Sequence, residues 1–232
     1  MSAAVRRSSI DDDRAGGGVV LSRKWVRWFI AVVCAVCAPL SARLLHAALP
    51  PSTSLNVSGR TSVAGQLLIA TPALTDPPFD HAVILVTQHN QGGAIGIVIN
   101  RPLERQTIAS LLAAYGAEAS GVNGSVLLFL GGPVDPQAGF VLHSADYRNG
   151  DTLDIDGRVA LTSGPEVLRD IGLGKGPRQK LVAFGYSGWG PSQLDNELRQ
   201  GIWQTVPEDP TLVFEDDRAK VWSDALARRK TN

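Results

Sequence analysis

Beyond residue 60 the chain alternates short runs of branched apolar residues with clusters of Gly, Pro and Asn, a pattern of strands broken by turns. Residues 67–70 (LLIA), 82–88 (AVILVTQ) and 94–100 (AIGIVIN) read as strands. His89-Asn90-Gln91-Gly92-Gly93 between the last two predicts the tip of a hairpin, its glycines supplying positive φ. The proline-rich stretch from Thr71-Pro72 to Pro77-Pro78 predicts a rigid loop. In 107–115 the spacing of Ile108, Leu111 and Leu112 is that of one helix face. Strands follow at 126–130 and 140–142, separated by Gly131-Gly132-Pro133, with shorter ones at 153–155 and 159–161. Residues 165–171 predict a helix opened by Pro165, 181–186 a buried strand, and 191–201 a helix opened by Pro191. A late strand at 212–214 and an amphipathic helix over 216–229 complete the list. There is no internal repeat. Because strands and helices do not alternate regularly, the expected class is α+β with a mixed sheet.

Ahead of this domain the character changes. Residues 1–22 are polar and Gly-rich, with Asp11-Asp12-Asp13 and Gly16-Gly17-Gly18, and are expected to be a disordered extension. Arg23-Lys24-Trp25-Val26-Arg27 then precedes an uncharged apolar run over 28–42. A positive flank followed by an apolar run predicts a hydrophobic signal or anchor over 23–49. That run is short of the ~20 residues of a spanning helix and contains Pro39. Residues 50–58 read as a linker and 59–232 as one domain. The expected location is membrane-associated or exported where 23–49 is used, and cytosolic otherwise; membrane contact is expected through that segment only.

A hydrophobic content of 44% with 19% charged residues is that of a folded protein. The zero net charge hides an asymmetry. Residues 1–49 carry 7 of the 22 basic and 3 of the 22 acidic residues, leaving 15 basic and 19 acidic, a net of −4, for the rest. A mildly acidic domain lacks the cationic footprint of a nucleic-acid binder, so the expected partner is a protein or a small-molecule ligand. Cys34 and Cys37 are the only cysteines. Their C-x-x-C spacing lies in the apolar run without a second ligand pair and reads as two small apolar residues. The domain therefore has no thiol chemistry, and no cofactor is implied.

The motifs tested for chemistry fall short. Gly185-Tyr186-Ser187-Gly188-Trp189-Gly190 approaches the nucleophile elbow G-x-S-x-G, but Trp189 occupies the second glycine slot and every histidine lies upstream of Ser187. The expected role is a Gly-rich turn that closes a strand against other backbone, with Gly188 at positive φ. In Gly172-Leu173-Gly174-Lys175-Gly176 a phosphate loop would need glycine at Arg169 and Ser or Thr at Gly176, so a helix C-cap is expected instead. The histidines, His46, His81, His89 and His143, form no local ligand pair. A long-range metal site from His81, His89 and His143 with Asp76 or Asp80 is the alternative to histidines that hydrogen-bond backbone at strand ends, and no metal is expected. Asp154 and Asp156 alternate as on a solvated strand face.

Several longer stretches carry a resemblance. These are Gln66 to Leu74 with Asp76 and Phe79, His89-Asn90, Gly92 to Gly96, Asn100-Arg101-Pro102 and Gly131-Gly132-Pro133. They continue with Gly139 to His143, Thr162-Ser163, and Gly185 to Gly190 with Gln193-Leu194, Glu197 and Trp203. In this order they resemble the bacterial AlgH/YqgE family from about Gln66 to Arg229. The resemblance implies a single α+β domain whose mixed, bifurcated sheet curls into a pseudo-barrel flanked by helices. It implies little about activity: members are described as transcriptional regulators, without an established biochemical role or agreed catalytic residues. The N-terminal extension departs from the family pattern, and an exported copy does not touch DNA. The primary expectation is a non-enzymatic regulatory or binding module. Its candidate surface is His89, Asn90, Asn100, Arg101, His143, Tyr186, Trp189 and Gln193. The alternative is an enzyme on a small anionic molecule, with His89 or His143 as acid/base and Arg101 as anion holder.

Overall fold

The computed structural model describes residues 62–74 and 76–229, and these residues form ten strands and five helices. The expected extension, signal or anchor, and linker lie outside the described residues. In order come β1 (Gln66–Ala70), β2 (Val83–Asn90), β3 (Gly93–Val98), β4 (Pro102–Thr107) and α1 (Ile108–Ala114). Next are β5 (Ser125–Leu130), β6 (Val134–Ser144), β7 (Thr152–Asp154), β8 (Val159–Ser163) and α2 (Pro165–Gly172). The chain closes with β9 (Lys180–Trp189), α3 (Gln193–Arg199), β10 (Trp203–Pro207), α4 (Pro210–Val213) and α5 (Val221–Ala227).

Several boundaries differ from expectation for identifiable reasons. His89 and Asn90 pair with Ala94 and Gly93, so the hairpin loop shrinks to Gln91-Gly92. The expected strand at 212–214 is instead α4 and its C-cap, opened by Asp209, whose side chain accepts from Thr211 N, and by Pro210. That pair is a helix-start signal, and it outweighs the local β propensity. The last strand is β10, upstream of it. β4 is exposed along its length and has no apolar alternation to betray it; pairing with β5 creates it. α3 starts after Ser192, and α5 is shorter than its amphipathic pattern.

The strand order is β10-β1-β2-β3-β9-β6-β8-β7, with β5 also on β9 and β4 on β5. β5 runs parallel to β9 while the other pairs are antiparallel, so the sheet is mixed. It forks at β9. The first half of β9 pairs through Val182, Ala183 and Phe184 with β5. Its second half pairs through Ser187, Gly188 and Trp189 with β3. Residues 185–189 are thus continuous strand, and the expected turn does not exist. The glycines serve the fork. Gly185 has φ +73, and a Cβ there would lie 2.4 Å from Gly132 O. A Cβ on Gly132 would lie 2.2 Å from the Tyr186 carbonyl carbon. Contrary to expectation, Gly188 has no positive φ, and a Cβ there would meet Tyr186 Cε2 at an ordinary 3.5 Å.

Both faces of the sheet are covered. One core joins Leu67, Leu85 and Ile97 of one branch to Leu142, Val159 and Leu181 of the other. Residues from both branches share a core because the sheet curls, and Leu212 and Val213 of α4 with Val221 and Ala225 of α5 fill the concavity. On the other face Leu68, Ile84 and Val98 pack with Trp189, Leu194 and Trp203, and Val126, Leu128 and Val182 pack under α1 and α2. Burial on both faces explains why β1 reads as an unbroken apolar run. The result is one α+β domain with a bifurcated, curled sheet flanked by helices.

The two ends of the strand order meet through side chains. Arg158, after the β7–β8 turn, donates to Glu208 O at 2.9 Å and lies 2.8 Å from Glu208 Oε2. It also pairs with Asp156 Oδ2 at 2.9 Å. Asp156, exposed as expected, also accepts from Arg158 N and Val159 N, both at 3.0 Å, and so serves as a structural acceptor too. Asp154 pairs with the exposed Arg148. Glu208 is 2% exposed, and neither of its carboxylate oxygens has a well-aligned hydrogen bond. Burial, reinforced by the hydrogen bond and charge of Asp156, pushes the Glu208 carboxyl up to about 8. Burial opposes ionisation of Asp156 too, but hydrogen bonds from Glu208, Val159 and Arg158 outweigh it and hold that carboxyl at about 2.

A carboxyl whose pKa is raised by folding contributes stability below its ordinary value and loses it as pH rises to the folded value. For Glu208 the loss runs from 4.5 to about 8. The urea midpoint of the wild type is expected to decline across that interval. In Glu208→Gln it should decline less and exceed the wild-type midpoint at the alkaline end. An identical slope in both proteins would show that Glu208 is not the group responsible.

Candidate functional site

The eight residues singled out in the sequence fall into separate places. At the hairpin tip His89 accepts from Val63 N through Nδ1 at 3.1 Å and turns Nε2 toward Asp195 Oδ1 at 3.5 Å. Its side chain is only 7% exposed. Asn90 Oδ1 accepts from Gly92 N at 2.7 Å and shapes the two-residue loop. Close by in the fold, the indole N–H groups of Trp189 and Trp203 both donate to Glu197 Oε2 at 2.8 Å. Gln193 Nε2 donates to Glu197 Oε1 at 2.9 Å, and Gln193 Oε1 accepts from Gly190 N at 3.0 Å. Trp189, Gln193 and Glu197 therefore fasten α3 to β9 and β10.

His143 is fully buried in β6. Its Nδ1 lies 2.9 Å from Ser144 O, an acceptor only, so Nδ1 carries the proton and Nε2 accepts from Thr162 Oγ1 at 2.8 Å. Its ring meets Tyr147 edge-on at 5.4 Å, and Tyr147 donates to Asp170 Oδ2 at 2.7 Å. Burial lowers the pKa of His143, which favours the neutral ring. Tyr186 packs edge-on against Phe140 at 6.2 Å.

Asn100 and Arg101 occupy the opposite end of the β2–β3 hairpin. Asn100 is 7% exposed; its Oδ1 accepts from Val83 N at 2.9 Å and its Nδ2 donates to His81 O at 2.8 Å. These bonds brace His81, a non-glycine residue at φ 54. His81 Nδ1 lies 2.6 Å from Asp80 Oδ1, and Arg101 donates to Asp80 O. The His81 ring stands edge-on to Trp222 at 4.2 Å, and Trp222 Nε1 donates to Ala70 O at 2.9 Å. Arg218 stacks 4.8 Å above the Phe129 ring and donates to Val213 O at 2.8 Å. Burial lowers its pKa, opposed by Asp216 and Glu215; a guanidinium stays charged regardless.

Two shallow depressions meet here. One of about 350 Å³ is lined by Ala70, Pro72, Leu74 and Asp80, among others. The other, of about 430 Å³, is lined by Asn100, Arg101, Pro102 and Arg218. His81 and Trp222 line both. Of the eight candidates, only Asn100 and Arg101 are in this groove. Arg218 and Trp222 escaped the sequence reading because they lie on the C-terminal segment, more than a hundred residues away and without a local motif. His81 entered only as a candidate metal ligand.

The acid/base roles considered for His89 and His143 lack geometry. His89 stands six residues along β2 from Val83, ~20 Å away at strand rise, and His143 is enclosed by Thr162 and Tyr147. Ser187 is 1% exposed inside β9, out of reach of a substrate. The segment after α2 is a C-cap, as expected. Gly174, at φ 73, donates to Ile171 O at 3.1 Å and Lys175 N donates to Asp170 O at 2.8 Å, the two bonds of a Schellman motif. Among the described residues no group of three or more His, Cys, Asp or Glu side chains could hold a metal ion, and no helix is long and apolar enough to cross a membrane.

Comparison with known proteins places this architecture. The model of the AlgH-like family matches residues 67–232. A UPF0301 protein of Methylococcus capsulatus is 42% identical over 168 residues, covering 72% of this chain and 92% of the relative. A UPF0301 protein of Rhodospirillum rubrum is 42% identical over 166 residues, covering 72% and 86%. The solution structure of the AlgH protein from Pseudomonas aeruginosa superposes with a TM-score of 0.63 at 34% identity, covering 77% of this chain and 94% of that one. A crystal structure from Corynebacterium diphtheriae, 21% identical with a TM-score of 0.59 over 76% of this chain and 92% of its own, shares the fold. With its forked sheet, its glycine-closed junction and a family match across the domain, the chain belongs to the AlgH-like family.

Proposed function

We propose that this chain is a non-enzymatic binding module and that its recognition surface is the groove around His81, Arg101, Arg218 and Trp222. One observation carries the reading. Arg101 and Arg218 line a single depression, and they donate to the backbone carbonyls of Asp80 and Val213, not to a carboxylate. Other described arginines also lack an ion pair, but these two share one depression. Each guanidinium has five N–H donors. Arg101 uses its Nη2 on Asp80 O and Arg218 its Nη1 on Val213 O, so further donors of both groups are available to an anion. The positive φ of His81 supports the same reading, since such strain costs about 1–3 kcal/mol and clusters where a ligand is held.

Regulation by this module would run through ligand capture. Direct DNA contact is not part of the reading, because the segment after residue 49 carries a net −4. Asp80, Glu215 and Asp216 also stand close to the groove's cations and oppose a polyanion. The test is a sodium acetate titration of the full-length protein, at constant ionic strength, followed by NMR of the arginine Nε–H and indole N–H groups. The signals of Arg101, Arg218 and Trp222 are expected to move together and saturate while that of Arg105 stays put. Uniform movement of all surface arginines, or none, would remove the groove as a site.

A further inference from the structure

The groove's chemistry narrows the class of ligand; this inference rests on the binding reading above. The second depression is lined both by the cations Arg101 and Arg218 and by the apolar Pro102 and Trp222. Across the His81–Trp222 pair the first depression continues over Ala70, Pro72 and Leu74. A ligand that fills both needs an anionic head and an apolar body.

The head is a single negative charge. Asp80 lines the adjoining depression, and Glu215 and Asp216 already act on Arg218. Two guanidiniums and three carboxylates sum to −1, so an anion is held by direct N–H contact with Arg101 and Arg218 and not by a net positive field, and the second charge of a dianion is opposed. A carboxylate also matches the guanidinium fork, accepting two parallel N–H bonds. The body is flat. Trp222 is fixed by its bond to Ala70 O at 2.9 Å and by the edge of His81 at 4.2 Å. A rigid indole presents contact area at low entropic cost and favours another ring.

We propose that the groove binds a carboxylate carried on an aromatic body, the carboxylate between Arg101 and Arg218 and the ring along Trp222 and Pro102. This chemistry has two sources: a free aromatic acid, or an acidic residue beside an aromatic one in a partner segment.

Isothermal titration of the full-length protein tests the assignment with 2-naphthoate. The comparison ligands are the neutral 2-naphthamide, the dianionic 2-naphthyl phosphate, acetate, and a blocked dipeptide of glutamate and tryptophan. 2-Naphthoate is expected to bind at least tenfold more tightly than the amide, the phosphate or acetate. Arg101→Gln should weaken it at least tenfold with an unchanged urea midpoint. Should that variant fold poorly, displacement of 2-naphthoate by excess acetate in the wild type gives the same information. A dipeptide that binds more tightly than 2-naphthoate assigns the partner segment as source, and the reverse order assigns the free acid; both support the class. Equal binding of the amide overturns the anionic head, and equal or tighter binding of the phosphate overturns the carboxylate. If acetate moves the Arg101 and Arg218 signals while 2-naphthoate binds no more tightly than acetate, the aromatic body is wrong and the binding module stands. Silence toward acetate as well removes both.

Discussion

Gly185→Ala should cost most of the protein's stability, while Gly188→Ala, three residues along the same strand, should cost little. At Gly185 two penalties coincide. The backbone is at φ +73, and the added methyl would sit 2.4 Å from Gly132 O and 3.1 Å from Val134 O. Positive φ in a non-glycine residue costs about 1–3 kcal/mol, and the methyl must also push apart backbone that belongs to a paired sheet. A combined loss of about 3–5 kcal/mol is expected, at the severe end for single substitutions. At Gly188 the methyl meets nothing nearer than Tyr186 Cε2 at 3.5 Å without positive φ, so the cost should stay near ~1 kcal/mol, the strand penalty being small either way. Urea unfolding of both variants, with soluble yield as a second readout, checks this. Equal stabilities would mean that the fork does not depend on the close approach of Gly185 and Gly132.

Glu197→Ala should produce the second large effect. One carboxylate oxygen accepts both indole N–H groups, from Trp189 and Trp203, at 2.8 Å each. Both tryptophans are buried, at 7% and 3% exposure. Removing the acceptor leaves two donors without a partner, each at a cost of about 1–3 kcal/mol. A loss of about 3 kcal/mol is therefore expected, with a shift in tryptophan emission as α3 loosens from the sheet. Glu197→Gln keeps a carbonyl acceptor and should lose about half as much, since a neutral acceptor bonds less strongly than a charged one. An alanine variant as stable as wild type, with unaltered emission, would mean that water replaces the carboxylate and that the tryptophans do not anchor α3.

Both effects concern residues that look chemical in the sequence. Ser187 between glycines suggests a nucleophile and Trp189 suggests a binding platform, yet the segment is strand β9, where a sheet divides and a helix is fastened. A glycine needed for close backbone contact leaves the same mark in a sequence as one needed for a catalytic turn. Only the partner strand distinguishes them.

Elements whose cause is local are legible in the order of residues alone. β1, β2, β3, β5 and β9 were legible as apolar runs because both faces of the curled sheet are buried. α1 was legible through its apolar spacing, and α2 through Pro165 and the glycine that follows it at the C-cap. The family resemblance, carried by glycine and proline motifs, supplied the forked sheet. Whatever depends on distant partners came from long-range packing. The polar edge strand β4 exists because β5 offers hydrogen bonds, and the buried Glu208 comes to lie beside Arg158 and Asp156 because the sheet's two ends close on each other. The groove, too, is assembled from far apart. Asn100 and Arg101 were legible as candidates, but Arg218 and Trp222 join them only because α5 packs across β1 and β2, a long-range contact that no local pattern of residues encodes.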